Sequence, residues 1–408
     1  MTLPLGSVVV LDLADEPMVL ASRLLADLGA DVIRVEPIGG DGVRRRGPFV
    51  GGIEGLERGL AHIRYNAGKR SLALALDRPE AWEAARALAS RADIAIVPME
   101  ADALTGEFVA EAHLGAVSPG PGVIEAVLRR DAAREPVADL VGVAAGGMLY
   151  LNGYPEDPPN HPAGQLAYKQ TSLAAALGAV SLLLESQAGR RGGRIVVSMQ
   201  EAMMWTTIQS GNQNYWHWYR QRPRRRGLAN VGMQTIFRAR DGKWVSFYQH
   251  PPAWARFAAW AREALGESRF EAPEWHDAGY RLEQHAQVVA VTARLCESLD
   301  CADLVAEAQR RAILVVPVQG VMDIARDPHL RARGFFQKVW HEQLGMDIEV
   351  MRPPFVSSAY AASARPAPAL GEHTRSVLKE LCGFEESKID RWLRDGLARE
   401  ATSEVLAR

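Results

Sequence analysis

Among 408 residues there are only three cysteines, Cys296, Cys301 and Cys382, and no two of them form a C-x-x-C pair. That excludes a disulfide framework and a thiolate zinc site, and leaves buried or incidental thiols in a reducing compartment. The ten histidines are scattered and no H-E-x-x-H occurs, so no metal is expected. A G-x-S-x-G elbow and a G-x-x-x-x-G-K-[ST] loop are both missing, which removes the elbow-type hydrolases and the P-loop nucleotide binders. Charge of one sign is also missing: 47 basic residues face 49 acidic ones, which gives no net attraction to nucleic acid or to a membrane. No uninterrupted apolar run reaches about 18 residues. The start, MTLPLGSVVVLDL, has neither the basic flank nor the small-residue cleavage site of a signal peptide. A soluble cytoplasmic protein is expected.

With 48% hydrophobic residues, the chain can bury a core large enough for two domains, or for one domain carrying a sizeable insertion. The first hundred residues alternate strand and helix signals: SVVVLDL, an apolar-periodic helix near residues 17–29, DVIRVEP, RSLALAL, an Ala-rich helix after Pro79, and DIAIV. Short β-rich runs separated by amphipathic helices read as parallel βαβ units, an α/β fold. A dinucleotide fold would place G-x-G-x-x-G after the first strand. The turn there is DLADEPM (12–18), without a glycine, so NAD and FAD are disfavoured.

Residues 164–187 form a polar start running into a long apolar helix, followed by the strand GRIVVSM and another helix from about Gln200. YRQRPRRRGLANVGM has no periodicity and reads as a linker or mobile loop. QTIFRARDGKWVSFYQ then reads as two strands joined at Asp241-Gly242, helical patterns fill residues 252–310, and ILVVPVQ returns to strand. The expected division is residues 1–225 and 331–408 in a large α/β domain, with a smaller inserted α+β domain at 226–330.

Three basic segments are candidate anion sites. Lys69 and Arg70 in NAGKRSLAL (66–74) enter a strand, where they could face a phosphate or simply lie in a solvated loop. RRRGPF (44–49) and RPRRRG (222–227) could hold phosphates or form salt-bridged faces. Trp216, Trp218 and Tyr219 offer either a stacking surface for a flat ligand or interface packing.

Taken together, LLADLGADVIRVEPIGGD (24–41), NAGKRSLAL, GRIVVSMQEA (193–202), the DGKWV hairpin, VVPVQGV with DPHLRARGFF (315–336) and APALGEHT (367–374) resemble the class III CoA-transferase family, in order and spacing. This is the group of formyl-CoA, carnitine and bile-acid CoA-transferases and α-methylacyl-CoA racemase. The resemblance implies a large Rossmann-like parallel-sheet domain built from both chain ends, a smaller inserted domain, and an interlocked, ring-like dimer. It implies acyl-CoA as substrate, no tightly bound cofactor, and CoA contacts that include Lys69, Arg70 and Asp139. In the family an aspartate attacks the acyl-CoA thioester to give a mixed anhydride, then carries CoA as an aspartyl thioester until an acceptor carboxylate takes it.

LAYKQTSLAAALG (166–178) matches the family's helix without a gap, but Tyr168 stands where that aspartate should be and Ser172 replaces a glycine. A phenol of pKa about 10 is mostly protonated at neutral pH and cannot form the anhydride. Lys169, next to it, has an ordinary pKa of about 10.4 and is charged. The racemase branch's histidine would fall near Ala138, leaving Asp139 beside a missing base. VPMEADALTG, with Glu100, replaces a family segment that touches CoA. DLADEPM resembles the heteromeric branch that includes succinyl-CoA:benzylsuccinate CoA-transferase.

The resemblance therefore implies a subunit that completes the fold and the site while a homologous partner supplies the aspartate. The alternatives are a repurposed acyl-CoA lyase, isomerase or racemase-like homodimer using Tyr168 or Lys169 as acid or base, or a non-enzymatic acyl-CoA binder.

Overall fold

A computed structural model describes residues 3–99, 122–127, 138–189, 193–208, 220, 225, 229–230, 233–248, 253–361 and 364–401. The chain divides into two compact units, one of Met1–Leu149, His161–Gln221 and Ala332–Arg408, the other of Tyr150–Asn160 and Arg222–Arg331.

The first unit is built on a seven-stranded sheet. Its strands are β1 (Val9–Asp12), β2 (Asp31–Pro37), β3 (Arg70–Leu74), β4 (Ile94–Ile96), β5 (Gly122–Val127) and β6 (Arg194–Ser198), with Ala398–Arg399 at one edge. The order in space is Ala398–Arg399, β3, β2, β1, β4, β5, β6, and every pairing is parallel except that of Ala398–Arg399 with β3. Strand order reverses between β1 and β4, and in open α/β sheets the crevice at that reversal, outside the carboxyl ends of the strands, is where ligands bind.

Apart from its edge strand β6, where Val196 is 37% exposed, the sheet is buried on both faces, which is why its strands read as continuous apolar runs. Within β1, Val10 packs with Val32, Ile94 and Ile124 on one side, and Leu11 with Ile33, Leu72 and Trp82 on the other. Each such side chain, fully buried, contributes roughly 1.5–3 kcal/mol. Helix α1 (Val19–Asp27) covers the first face and α2 (Trp82–Ala89) the second. Val377, Leu378, Ile389 and Trp392 from the last two helices join the second face, so the end of the chain closes the core begun by its start.

Three further helices shape one end of this unit: α3 (Asp139–Ala145), α4 (Leu166–Gln187) and α5 (Met199–Ile208). The buried side of α4 is a stripe of small residues, Ala167, Thr171, Ser172, Ala175, Ala176, Gly178 and Ala179. Leu182 is buried with them, whereas Leu173, Leu177 and Leu184 are exposed, Leu177 to 67%. Gly178 lies against β6, where a Cβ would stand 3.1 Å from the Ile195 side chain. The apolar helix expected from the sequence is there, but it packs mainly through small residues and Leu182 and leaves Leu173, Leu177 and Leu184 outside.

The second unit contains a three-stranded antiparallel sheet, Ile236–Arg238, Trp244–Tyr248 and Leu314–Pro317. The expected hairpin turns at Asp241-Gly242, with Gly242 at φ +79°, a left-handed conformation suited to glycine. Trp254, Phe257, Trp260, Phe270 and Trp275 form an aromatic core against Phe247, with Trp254 and Trp275 stacked at 6.0 Å. Cys296 and Cys301 are free and buried here, and burial pushes the Cys296 thiol up to about 12. Tyr150–Asn160 belongs to this unit although it precedes α4. Arg225 holds it, donating to the carbonyls of Tyr154 at 3.0 Å, Asp157 at 3.1 Å and Tyr150 at 3.3 Å. The segment read as a linker contains a short antiparallel pair, Ala229–Asn230 with Met233–Gln234. Trp216, Trp218, Tyr219 and Glu100 lie outside the described residues. Among the described residues no helix is long and apolar enough to cross a membrane.

Candidate functional site

Lys69 and Arg70, expected to meet a phosphate, are used inside the fold, while most of the RPRRRG run lies outside the described residues. Lys69 is fully buried, and its three N–H groups donate to Asp12 Oδ2 at 2.9 Å, Asn66 Oδ1 at 2.9 Å and the Val19 carbonyl at 3.1 Å. An ammonium has three donors, so none is left for a ligand. Burial pushes Lys69 down to about 8, with Asp12 opposing that shift. Burial would raise the Asp12 carboxyl, but Lys69 and Arg34 outweigh it and hold the carboxyl below the usual range. Arg70 pairs with Asp31 at 3.1 Å and Glu380 at 2.9 Å, and donates to Ser376 at 3.1 Å. These two residues tie the sheet together.

The RRRGPF run splits in the same way. Arg44 is buried between Glu36 at 2.6 Å and Glu57 at 2.7 Å and reaches the Pro368 carbonyl at 3.1 Å. Arg45 donates to the Gly39 carbonyl at 2.7 Å. Only Arg46 points toward the start of α4, paired with Glu16.

The DLADEPM turn leaves the carboxyl end of β1 at the reversal of strand order, and α4 begins against it. Glu16 Oε1 accepts from Gln165 Nε2 at 2.9 Å, and the Pro17 carbonyl accepts from Ser172 Oγ at 3.0 Å. The serine that replaces the family's glycine is thus buried with its hydroxyl satisfied. Gly164, at φ +89°, and Gln165, at φ +54°, turn the chain into the helix. A non-glycine residue held in the left-handed region costs of order 1 kcal/mol. Contacts on both sides of Gln165 fix it there.

Gln165 makes no side-chain cap, so the first turn of α4 starts with unsatisfied N–H groups. Asp139, the first residue of α3, fills that role from outside: its Oδ1 accepts from the Tyr168 backbone N at 3.1 Å. That N–H, third in the helix, is one an N-cap side chain would otherwise satisfy, and a negative charge is favoured at this end of the dipole. The other oxygen, Oδ2, lies 3.1 Å from His161 Nε2. The Asp139 side chain is 10% exposed and that of His161 is 43% exposed. The helix start that carries no carboxylate of its own therefore has one beside it.

Tyr168 packs partly against Val143, Met199 and Met203. Burial, then the Asp139 charge, raises its phenol above the ordinary value, so it stays protonated. Lys169 is half-buried on the same turn. Burial and then Arg64 lower its ammonium, with Asp139 opposing, and that ammonium has no hydrogen-bond or ion-pair partner among the described residues. Asp139, Tyr168 and Lys169, singled out in the sequence, are thus brought together, whereas Lys69 and Arg70 serve the sheet. His161 was not legible: it sits 22 residues beyond its carboxylate in the irregular stretch before α4, with no spacing to announce it.

Beside this corner, α4, β6 and α5 enclose an apolar groove of about 490 Å³ lined by Leu173, Leu177, Val196 and Trp205. Trp205 is 76% exposed.

The sequence pattern of CoA-transferase family III matches residues 5–374. The chain is 30% identical over 404 residues to a succinyl-CoA:(R)-benzylsuccinate CoA-transferase subunit of Thauera aromatica, covering 95% of this chain and 96% of that one. It is 27% identical to the succinyl-CoA–L-malate CoA-transferase beta subunit of Chloroflexus aurantiacus, again over 95% of this chain and 96% of the relative. The crystal structure of a CaiB/BaiF family protein from Brucella suis shares the fold, with a TM-score of 0.76 at 23% identity, over 93% of this chain and all of the other. With its length matched from the first strand of the sheet to the helix that closes it, this chain belongs to CoA-transferase family III.

Proposed function

We propose that this chain is a site-completing subunit of a cytoplasmic class III CoA-transferase that moves CoA from an acyl-CoA donor, succinyl-CoA in the first instance, to an acceptor carboxylic acid. A homologous partner carries the catalytic aspartate, in the interlocked arrangement that the family resemblance implies. The observation that carries this reading is Tyr168. Covalent transfer needs a carboxylate able to become an anhydride, and a half-buried phenol kept protonated by its surroundings offers none. The remainder of the scaffold, including the small-residue seat of α4 and the anchored turn before α1, is intact. Two of the relatives named above are subunits of succinyl-CoA-dependent transferases, which supports both the donor and the partner. The exposed leucine side of α4 and Trp205 supply an apolar surface of the kind a second subunit covers.

Co-expression with an aspartate-bearing homologue tests this. The two chains are expected to co-purify and to transfer CoA from succinyl-CoA across a panel of acids, while this chain alone transfers none. A homodimer of this chain that turned over acyl-CoA and an acid would overturn the proposal.

A further inference from the structure

Subunit assembly gives no task to three groups at the start of α4. The His161 ring is held at Nε2 by the Asp139 carboxylate, and its Nδ1 has no hydrogen-bond partner among the described residues. Asp139 is itself fixed by the Tyr168 N–H, so the carboxylate orients the imidazole without being free to attack. The Lys169 ammonium, without a hydrogen-bond or ion-pair partner among the described residues, belongs to the same turn and folds back over Gly164, three residues after His161, where an added Cβ would stand 3.4 Å from Nζ. A base, a residue that positions it and an unmatched cation, with no side-chain nucleophile, is an arrangement suited to activating water.

We propose that Asp139, His161 and Lys169 form a water-activating site that hydrolyses an acyl-CoA thioester bound at this chain's own α4 corner. His161 Nδ1 takes a proton from water as the water oxygen bonds to the acyl carbon. The carbonyl electron pair moves onto its oxygen, where the Lys169 ammonium stabilises the negative charge. Collapse of that adduct breaks the C–S bond, and the departing CoA thiolate takes the proton back from the imidazolium. One water and one thioester give one carboxylic acid and one free thiol, with no other reactant. Asp139 acts as a positioning residue: it fixes the tautomer that presents a lone pair at Nδ1 and stabilises the imidazolium that forms. The inference rests on acyl-CoA reaching this chain, as the transferase reading supposes. It differs from transfer in a measurable way, because transfer to an acid releases no net thiol.

The purified full-length chain is incubated with succinyl-CoA and no acceptor acid, and free thiol is followed above the protein-free rate. Net release is expected. His161→Ala is expected to lower it by about 10²-fold, the usual contribution of a general base, and added imidazole to restore part of the loss. A merely structural role for the histidine would not respond to imidazole. Asp139→Asn is expected to lower kcat while KM is kept, and His161→Gln, at a partly exposed position, controls for folding. If the chain binds CoA by calorimetry yet releases no thiol, or releases it equally in His161→Ala, the hydrolytic site does not exist and the subunit reading stands. If no CoA binds, alone or with the partner, both readings fall.

Discussion

The Asp139 carboxylate caps a helix to which it does not belong, accepting the Tyr168 backbone N–H at 3.1 Å. Charge and hydrogen bond both act at the positive end of α4, so Asp139→Ala is expected to cost about 1–2 kcal/mol of stability. Asn keeps an acceptor and loses the charge, so Asp139→Asn should cost less, about 0.5–1 kcal/mol. Urea unfolding measures both, and amide exchange should quicken selectively in the first turn of α4. Equal stability of all three proteins would show that the cap contributes nothing.

Asp12 and Lys69 form a buried pair whose members depend on each other. Removing Asp12 strands the Lys69 ammonium, so Asp12→Asn is expected to cost about 3–5 kcal/mol; Lys69→Met should cost less, because Asp12 keeps Arg34 at 3.2 Å, and the double variant less than the sum. Asp12 is held below its usual range in the folded state. Its contribution is therefore complete above the unfolded value of about 3.9 and is lost as pH falls through the lower folded value. The Asp12 share of the stability gap between the wild type and Asp12→Asn should close as pH falls below about 3.9, whereas a narrowing of the gap towards neutrality reports Lys69, which lies at about 8 with Asp12 present and falls further without it.

The sheet was legible because parallel strands buried on both faces leave short apolar runs between amphipathic helices, and both the Asp241-Gly242 hairpin and the return of the chain end follow the same local chemistry. The site was legible only in part. A lysine before a strand looks the same in sequence whether it faces a phosphate or, like Lys69, a buried aspartate. The side of α4 that packs could not be read either, since leucine is more hydrophobic than alanine yet the close approach to β6 at Gly178 admits only a small residue, and most of the buried positions are small. His161 reaches Asp139 through an irregular stretch that has no period. What the sequence did carry was Tyr168 itself, through its place in a recognisable helix pattern.

Gly142 lets α3 lie against α4 and α5. A Cβ there would stand 2.7 Å from the Ala167 Cβ and would overlap the Met199 side chain. Gly142→Ala is therefore expected to destabilise by about 1–3 kcal/mol through overpacking, despite alanine's better helix propensity. Because Asp139 rides on the same helix, thiol release should fall along with stability. A variant as stable as the wild type would mean that α3 can move without cost.

Leu177 is the largest outward side chain at the middle of α4 and, with Trp205, borders the apolar groove. If a homologous subunit covers that surface, a charge placed there must be desolvated on association, a cost of several kcal/mol per unpaired ion. Leu177→Asp is expected to leave the isolated chain folded, since the position faces away from the core, and to abolish co-purification with the partner. CoA transfer would then be lost without any change at the α4 start. Tyr168→Phe makes the complementary case: it removes only a hydroxyl, and the complex should assemble and transfer CoA as before, because in the proposed complex the aspartate that reacts belongs to the other chain. Size-exclusion chromatography and a transfer assay on the two variants separate assembly from chemistry. A complex that survives Leu177→Asp would place the partner on another surface. One that assembles with Tyr168→Phe but fails to transfer would give the phenol a part in the reaction.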